Sequence, residues 1–197
     1  MKRSKDASKT APIRYVAFLR GMNLGNRRLE MSLLRGLIEE LGYDDVATFI
    51  ASGNVIFSTS ELDVKKLESR IAKHLEKSLG YRVDTFVRTL DEVEAIARSS
   101  PFPEDGDEDI TIHVGFVHDE LGADVTRGFL AVRSSVDELR ADGREYYWLC
   151  RIRTPDSKVW ASREVKALSL PTSTMRNMSS IRKLVAKHGS GKKSKQG

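Results

Sequence analysis

The segment Val46-Ala-Thr-Phe-Ile-Ala-Ser-Gly-Asn-Val-Ile-Phe-Ser-Thr59 decides the fold. It contains two short β-prone runs, 46–51 and 55–59. Ser52-Gly53-Asn54 separates them, and these are residue types that favour a tight turn between antiparallel strands. The segment therefore predicts a β-hairpin.

The flanking sequence predicts one strand and one helix on each side of this hairpin. On its N-terminal side, 14–20 reads as a strand and 31–41 has apolar residues at helical spacing, ending before Gly42. On its C-terminal side, 63–79 has an apolar stripe that predicts a helix, and 83–88 reads as a strand. The resulting order is β-α-β-β-α-β, the split βαβ or ferredoxin-like pattern.

A second half of similar order follows. Thr89-Leu-Asp-Glu92 is a capping box that opens a short helix. Beyond it we expect strands at 111–117, 136–140 and 145–150, and helices at 125–132, 162–168 and 178–188. The predicted fold class is α+β, with two ferredoxin-like (split βαβ) halves packed together and mostly antiparallel sheets. The predicted domains are 13–90 and 91–188, between disordered basic tails at 1–12 and 189–197.

Composition excludes several classes of protein. The chain has 197 residues, 40% of them hydrophobic and 31% charged, which is typical of a globular protein. Its apolar runs are too short to span a bilayer, so we expect no membrane partner. No apolar run follows the basic N-terminal residues, so we expect no secretory signal. The single cysteine excludes an internal disulfide framework and favours a reducing, cytoplasmic setting.

The positive charge is unevenly placed. The formal net charge is +5, and each basic tail contributes +3, so residues 13–188 carry −1. Within the chain, 89–142 carries −10 and 151–197 carries +10. The basic C-terminal region predicts weak, salt-sensitive contact with nucleic acid, and the alternatives are solubility or pairing between the two oppositely charged segments.

The sequence assigns no catalytic residue, metal site or cofactor. The histidines at 74, 113, 118 and 188 lack the spacing of metal ligands. Cys150 lies in an aromatic strand segment, where we expect it to be buried and inert. No P-loop, dinucleotide-binding glycine motif or nucleophile elbow is present, and the aromatic strand motif of RNA-recognition modules is absent.

Three polar clusters are the candidate ligand-binding site. One follows the first strand, one forms the hairpin tip and one is expected to open the last helix. In the split βαβ pattern the end of the first strand lies at the same sheet edge as the hairpin, and approach of the third cluster is a further assumption. Together they supply guanidinium, amide and hydroxyl groups, which suit a small anionic, perhaps phosphorylated, ligand. The candidate residues are Arg20, Asn23, Ser52, Asn54, Thr174, Arg176 and Asn177.

The same motifs resemble those of the DUF1697 family. The resemblance rests on Tyr15-Val-Ala-Phe-Leu-Arg-Gly-Met-Asn-Leu-Gly25, Met31, Thr48-Phe-Ile-Ala-Ser-Gly-Asn-Val55, Pro101-Phe102 and Thr174-x-Arg-Asn177, in that order. It extends over about residues 13–188. It implies an α+β fold of two ferredoxin-like halves, and it implies no activity, substrate or cofactor.

Four hypotheses of function remain open at this stage. In the first hypothesis the clusters form an anion-binding pocket, and in the second they form the site of an enzyme of unknown reaction. In the third they only make turns and helix caps. The remaining alternative is nucleic-acid association through the basic C-terminal region. The enzyme hypothesis needs a general base, and the motifs contain Arg, Asn, Ser and Thr but no His, Asp or Glu.

Overall fold

The computed structural model describes residues 11–22, 29–50 and 53–189. The chain divides into two compact units, Met1–Thr89 and Leu90–Gly197. The sequence predicted this boundary one residue later, between residues 90 and 91. The predicted tails lie outside the described residues, except for Ala11, Pro12 and Gly189.

The described residues of unit 1 form a four-stranded antiparallel sheet and two helices. The strands are ordered β2-β3-β1-β4, so β3 lies between β2 and β1. This order agrees with the split βαβ pattern predicted from the hairpin. The elements are β1 Ile13–Arg20, α1 Met31–Glu39, β2 Asp44–Phe49, β3 Asn54–Thr59, α2 Val64–Leu79 and β4 Asp84–Thr89.

Strand β1 is one of the two inner strands of the sheet in unit 1. It pairs antiparallel with β3 on one side and with β4 on the other. Tyr15, Ala17 and Leu19 belong to the main apolar core of the unit, and the alternate residues Val16 and Phe18 are completely buried as well. The side chains on both faces of β1 are therefore buried, which explains why its sequence is a continuous apolar run.

Helix α2 packs on the core through the predicted stripe. Leu67, Ile71 and Leu75 are each at most 1% exposed. The side chain of Asp63 caps the helix by accepting from the backbone N–H of Lys66, and Gly80 ends it in the left-handed conformation at φ +77°. Aspartate and glycine are residue types favoured at these two ends of a helix.

A side chain of α2 accepts a hydrogen bond from the outer edge of β4. Glu68 is buried, and its Oε1 accepts from the backbone N–H of Val87 at 2.9 Å. An edge strand leaves such N–H groups without a ladder partner. Glu68 therefore both attaches α2 to the sheet and satisfies a buried donor.

Unit 2 contains a second four-stranded antiparallel sheet, in the order β6-β7-β5-β8. Counted along the chain of each unit, this is the same order as in unit 1. The elements are α3 Leu90–Arg98, β5 Thr111–Phe116, α4 Ala123–Ala131, β6 Asp137–Asp142, β7 Glu145–Cys150, α5 Arg163–Lys166, β8 Thr174–Asn177 and α6 Met178–His188. Two 3-10 turns, Thr154–Asp156 and Val159–Ala161, precede α5.

The prediction that Thr174-Met-Arg-Asn177 opens the last helix is correct only for Asn177, which is the N-cap of α6. These residues form β8, an edge strand that pairs with β5 from Phe116↔Thr174 to His113↔Asn177. A four-residue strand is too short to show a clear alternation in the sequence, and its pairing with β5 determines the conformation. Only the following residue, Met178, begins α6.

The first prediction concerns the α2 stripe. Ile71→Ala removes a side chain that is 0% exposed, and should lower the free energy of unfolding by about 2–5 kcal/mol. Urea unfolding measures the loss. The control is Lys73→Ala, on the exposed side of the same helix, which should change stability by less than about 0.5 kcal/mol. Equal effects of the two variants would contradict the packing described for α2.

The second prediction concerns Glu68. Glu68→Ala leaves the buried N–H of Val87 without this acceptor and should cost about 1–3 kcal/mol. Glu68→Gln keeps an acceptor oxygen and should retain much of that stability. Urea unfolding and hydrogen exchange at the Val87 amide measure the two effects. Identical exchange rates in the Ala and Gln variants would show that the bond does not protect this edge.

Candidate functional site

Arg20 ends β1 opposite Asp84 of β4. Its Nη1 lies 3.5 Å from Oδ2 of Asp84, whose Oδ1 accepts from Nε of Arg82 at 2.7 Å. The Arg20 side chain is 52% exposed and that of Arg82 is 75% exposed, whereas Asp84 is 17% exposed. One carboxylate therefore lies against two exposed guanidiniums, and these three groups carry a net positive charge.

The β2–β3 hairpin lies beside the same end of β1, as the topology predicts. The backbone N–H of Leu19 donates to the carbonyl of Gly53 at 2.8 Å, and Phe18 is in register with Asn54. Gly53 has φ +72°, and a Cβ at this position would lie 3.2 Å from Cβ of Leu19 and 3.1 Å from Cγ of Met22. The turn thus requires glycine both for its backbone conformation and for its close approach to β1.

Asn54 closes the hairpin. It is 1% exposed, and its Nδ2 donates to the carbonyl of Phe49 at 3.3 Å across the turn. This contact supports a structural role. The two other candidates of this half, Asn23 and Ser52, lie outside the described residues.

In unit 2, Arg176 is buried within β8. Its Nη1 donates to Oγ1 of Thr174 at 2.9 Å and to the carbonyl of Met175 at 2.8 Å. Burial lowers the pKa of Arg176 to about 10, so the guanidinium remains charged at neutral pH. The structure therefore brings Thr174 and Arg176 together, and it shows Arg176 bonded within its own strand.

Asn177 caps helix α6. Its Oδ1 accepts from the backbone N–H of Ser179 at 2.8 Å and from Oγ of Ser179 at 2.7 Å. An Asn in this position satisfies one of the free N–H groups of the first helical turn. The described contacts of Asn177 are therefore those of a helix cap.

An open groove of about 400 Å³ borders Asn177, Ser179 and Arg182. Its other wall is the acidic loop, which includes Asp105, Asp107 and Glu108. Because acidic residues line this groove, an anion in it would meet repulsion, contrary to the donor-rich cluster expected from the sequence.

Arg182 attaches the acidic loop to helix α6. Its Nη1 and Nη2 bond the two carboxylate oxygens of Asp105 at 2.8 and 2.5 Å, which raises the pKa of Arg182. The same guanidinium donates to the carbonyls of Ala97 and Ser99, at the end of α3. Asp105 is nearly buried, with its side chain 4% exposed, so this is a structural ion pair.

Other reactive side chains of unit 2 are held in structural contacts. Nε2 of His113 lies 3.1 Å from Oγ1 of Thr154, its ring stacks on Trp148, and burial lowers its pKa. Cys150 is buried, as expected, and burial raises the pKa of its thiol, so the thiol is protonated at neutral pH. In the described part of the chain, no group of three or more His, Cys, Asp or Glu side chains forms a cation site.

Across residues 11–22, 29–50 and 53–189, no helix combines the length and apolar character needed to cross a membrane.

Sequence reasoning missed Arg82 and Asp84. Asp84 is the first residue of β4 and Arg82 precedes that strand. Both lie outside the three polar clusters, and nothing in their own segment distinguishes them from ordinary surface charges. The antiparallel pairing of β1 with β4 places Asp84 opposite Arg20. The approach of Asp84 to Arg20 could have been predicted from the register of the two strands. Predicting that register requires the correct boundaries of both strands.

Comparison with known proteins gives a family and a fold. A family model described as "Protein of unknown function (DUF1697)" matches residues 13–147. A solved structure, described as the conserved bacterial protein SP0830 from Streptococcus pneumoniae, is similar with a TM-score of 0.61 and 21% sequence identity. The match covers 88% of this chain and 97% of that one, and at this identity it shows the fold alone. A search of curated proteins found no match.

The third prediction tests the structural role of Asn177. Asn177→Ala should destabilise the protein by about 1 kcal/mol because the N–H of Ser179 loses its acceptor, whereas Asn177→Asp should retain the cap. Thermal and urea unfolding of the three proteins measure the difference. If Asn177→Ala is as stable as the parent, the cap does not contribute and a ligand contact becomes the better explanation of this residue.

Proposed function

Because this chain belongs to the DUF1697 family, which has no assigned function, we propose its function from the geometry of its own residues. The protein is a binding protein for a small anionic ligand, and the anion is held at the end of β1 by Arg20 and Arg82. The observation that supports this proposal is the presence of two exposed guanidiniums on one carboxylate, Asp84.

The donors of this cluster outnumber its acceptors. Each guanidinium has five N–H donors in a planar fork, and Asp84 offers two oxygens. A phosphate or carboxylate group supplies several oxygens at the spacing that a guanidinium recognises. The chemistry of Arg20 and Arg82 therefore fits an oxyanion, including that of a phosphorylated molecule.

The ion pairs at this edge are weak enough to rearrange. Exposed pairs of this kind contribute about 0–1 kcal/mol, because water screens the charges and the long side chains lose entropy when ordered. The Arg20–Asp84 pair is also long, at 3.5 Å. An incoming anion can therefore draw Arg20 toward itself at little cost, while Asp84 keeps its bond to Arg82.

The wider site drawn from the sequence remains a prediction. Asn23 and Ser52 are still proposed to contribute polar groups beside Arg20, and Asn54 shapes the hairpin there. That Thr174, Arg176 and Asn177 contact the same ligand also stays a prediction, and their described bonds support structural roles. An enzyme that uses these residues is the alternative. Of the three charged groups in this cluster only the Asp84 carboxylate has the chemistry of a general base, and both arginines already contact it.

The fourth prediction concerns anion-dependent stability. Inorganic phosphate at ten times its Kd should stabilise the parent protein by about 1.4 kcal/mol, a Tm increase of about 3–5 °C. Arg20→Ala should lose this increase while its Tm without phosphate stays nearly unchanged, because Arg20 is half-exposed. Scanning fluorimetry at constant ionic strength, with chloride replacing phosphate, measures both quantities.

The matched control is Arg127→Ala. Arg127 is also an exposed arginine paired with an aspartate, Asp124, and its loss should leave the phosphate effect intact. A phosphate effect that survives Arg20→Ala and Arg82→Ala would exclude this site. A large Tm loss in Arg20→Ala, with no phosphate effect in the parent, would identify Arg20 as a structural clamp instead.

A further inference from the structure

The two carboxylate oxygens of Asp84 are held unequally by the arginines of the proposed anion site. Oδ1 accepts from Nε of Arg82 at 2.7 Å, which is the length of a charge-assisted hydrogen bond. Oδ2 lies 3.5 Å from Nη1 of Arg20, beyond the range of about 2.7–3.2 Å for an ordinary N–H···O hydrogen bond. Asp84 is therefore firmly bonded on the side of Arg82 and only weakly bonded on the side of Arg20.

The strand register keeps Asp84 beside Arg20. The two residues are direct partners in the β1–β4 pair, and the side chains of direct partners lie on the same face of a sheet. Asp84 is also the least exposed of the three charged side chains in this cluster. An anion that is bound by the guanidinium of Arg20 therefore approaches a carboxylate oxygen, Oδ2, that has no strong donor of its own.

A carboxylate in an anion site acts in opposite ways on protonated and fully ionised oxyanions. Because an ionised carboxylate can only accept hydrogen bonds, it repels an oxyanion that has no proton left to donate. It attracts an oxyanion that carries a proton, because the O–H group of that anion donates to the carboxylate in a short, charge-assisted bond. Phosphate carries at least one such proton at neutral pH, whereas sulfate, which has the same tetrahedral shape, carries none.

We propose that Asp84 determines the specificity of this site by selecting an oxyanion that carries an O–H group, such as phosphate or the protonated form of a phosphomonoester. The O–H group of the ligand donates to Oδ2 of Asp84, and the other ligand oxygens accept from Arg20 and Arg82. A fully ionised oxyanion still binds through the two guanidiniums, but more weakly. This inference rests on the proposed anion site and adds the class of ligand that the site prefers.

The competing role for Asp84 is only to position and partly neutralise the two arginines. In that role the carboxylate weakens the binding of every anion alike. Sulfate, which carries the higher charge at neutral pH, would then bind the two guanidiniums at least as tightly as phosphate does. The two roles of Asp84 therefore predict opposite orders of affinity for two anions of nearly equal shape.

Isothermal titration calorimetry of the full chain with inorganic phosphate and with sulfate separates the two roles. The titrations are made at neutral pH and constant ionic strength, with chloride as the balancing anion. Phosphate should bind the parent protein about tenfold more tightly than sulfate, as expected for one hydrogen bond to a charged acceptor. This comparison needs no variant.

Two substitutions of Asp84 test whether this carboxylate is the source of the preference. In Asp84→Asn, Nε of Arg82 still requires an acceptor, so the amide oxygen faces Arg82 and the amide nitrogen, a donor, takes the place of Oδ2. Phosphate should then bind severalfold more weakly than in the parent protein, and sulfate severalfold more tightly. Asp84→Ala removes the acceptor without adding a donor and should bring the ratio of the two affinities close to one.

The matched control is Asp124→Asn, which changes a carboxylate that is paired with another exposed arginine, Arg127. It should leave both affinities unchanged. Sulfate binding as tightly as phosphate in the parent protein would overturn selection by Asp84 and leave the anion site in place. A tenfold preference that persists in both Asp84 variants would also overturn it. Failure of both anions to bind the parent protein would instead remove the anion site itself, and this inference with it.

Discussion

The pairing of β1 with a strand on each side is the constraint on which the rest of unit 1 depends. Tyr15 through Leu19 are all buried, so their backbone groups need partners from β3 and β4. Antiparallel pairing with β3 places the hairpin turn beside the end of β1, and pairing with β4 places Asp84 opposite Arg20. The edge that carries the proposed anion site is therefore a direct consequence of the strand register.

Position within a strand determines what an arginine can do in this protein. Arg20 is the last residue of β1, and its side chain is half-exposed beside a shared carboxylate. Arg176 lies inside β8, is 9% exposed and bonds to Thr174 and to the carbonyl of Met175. The first environment allows exchange of partners with a ligand, whereas the second fixes the side chain. The two residues looked equivalent in the sequence because both belong to short polar motifs.

Local patterns in the sequence were sufficient to predict the helices and strands that bury a regular apolar face. The α2 stripe follows directly from the spacing of its apolar residues, and the end of the helix at Gly80 follows from the residue type. Strand β8 was missed because its conformation comes from pairing with β5. The polar clusters were located from the residues themselves, and their resemblance to the DUF1697 family assigns no role to them.

Anomalous diffraction from crystals soaked in selenate tests the central claim most directly, because selenate mimics an oxyanion and its position is measured independently of the protein atoms. Crystals grown in chloride and soaked at low millimolar selenate should show an anomalous peak within hydrogen-bond distance of the guanidiniums of both Arg20 and Arg82. The same soak of Arg20→Ala crystals should show no peak there. Absence of the peak in the parent crystals, or an unchanged peak in the variant, would contradict the assignment of this edge as an anion site.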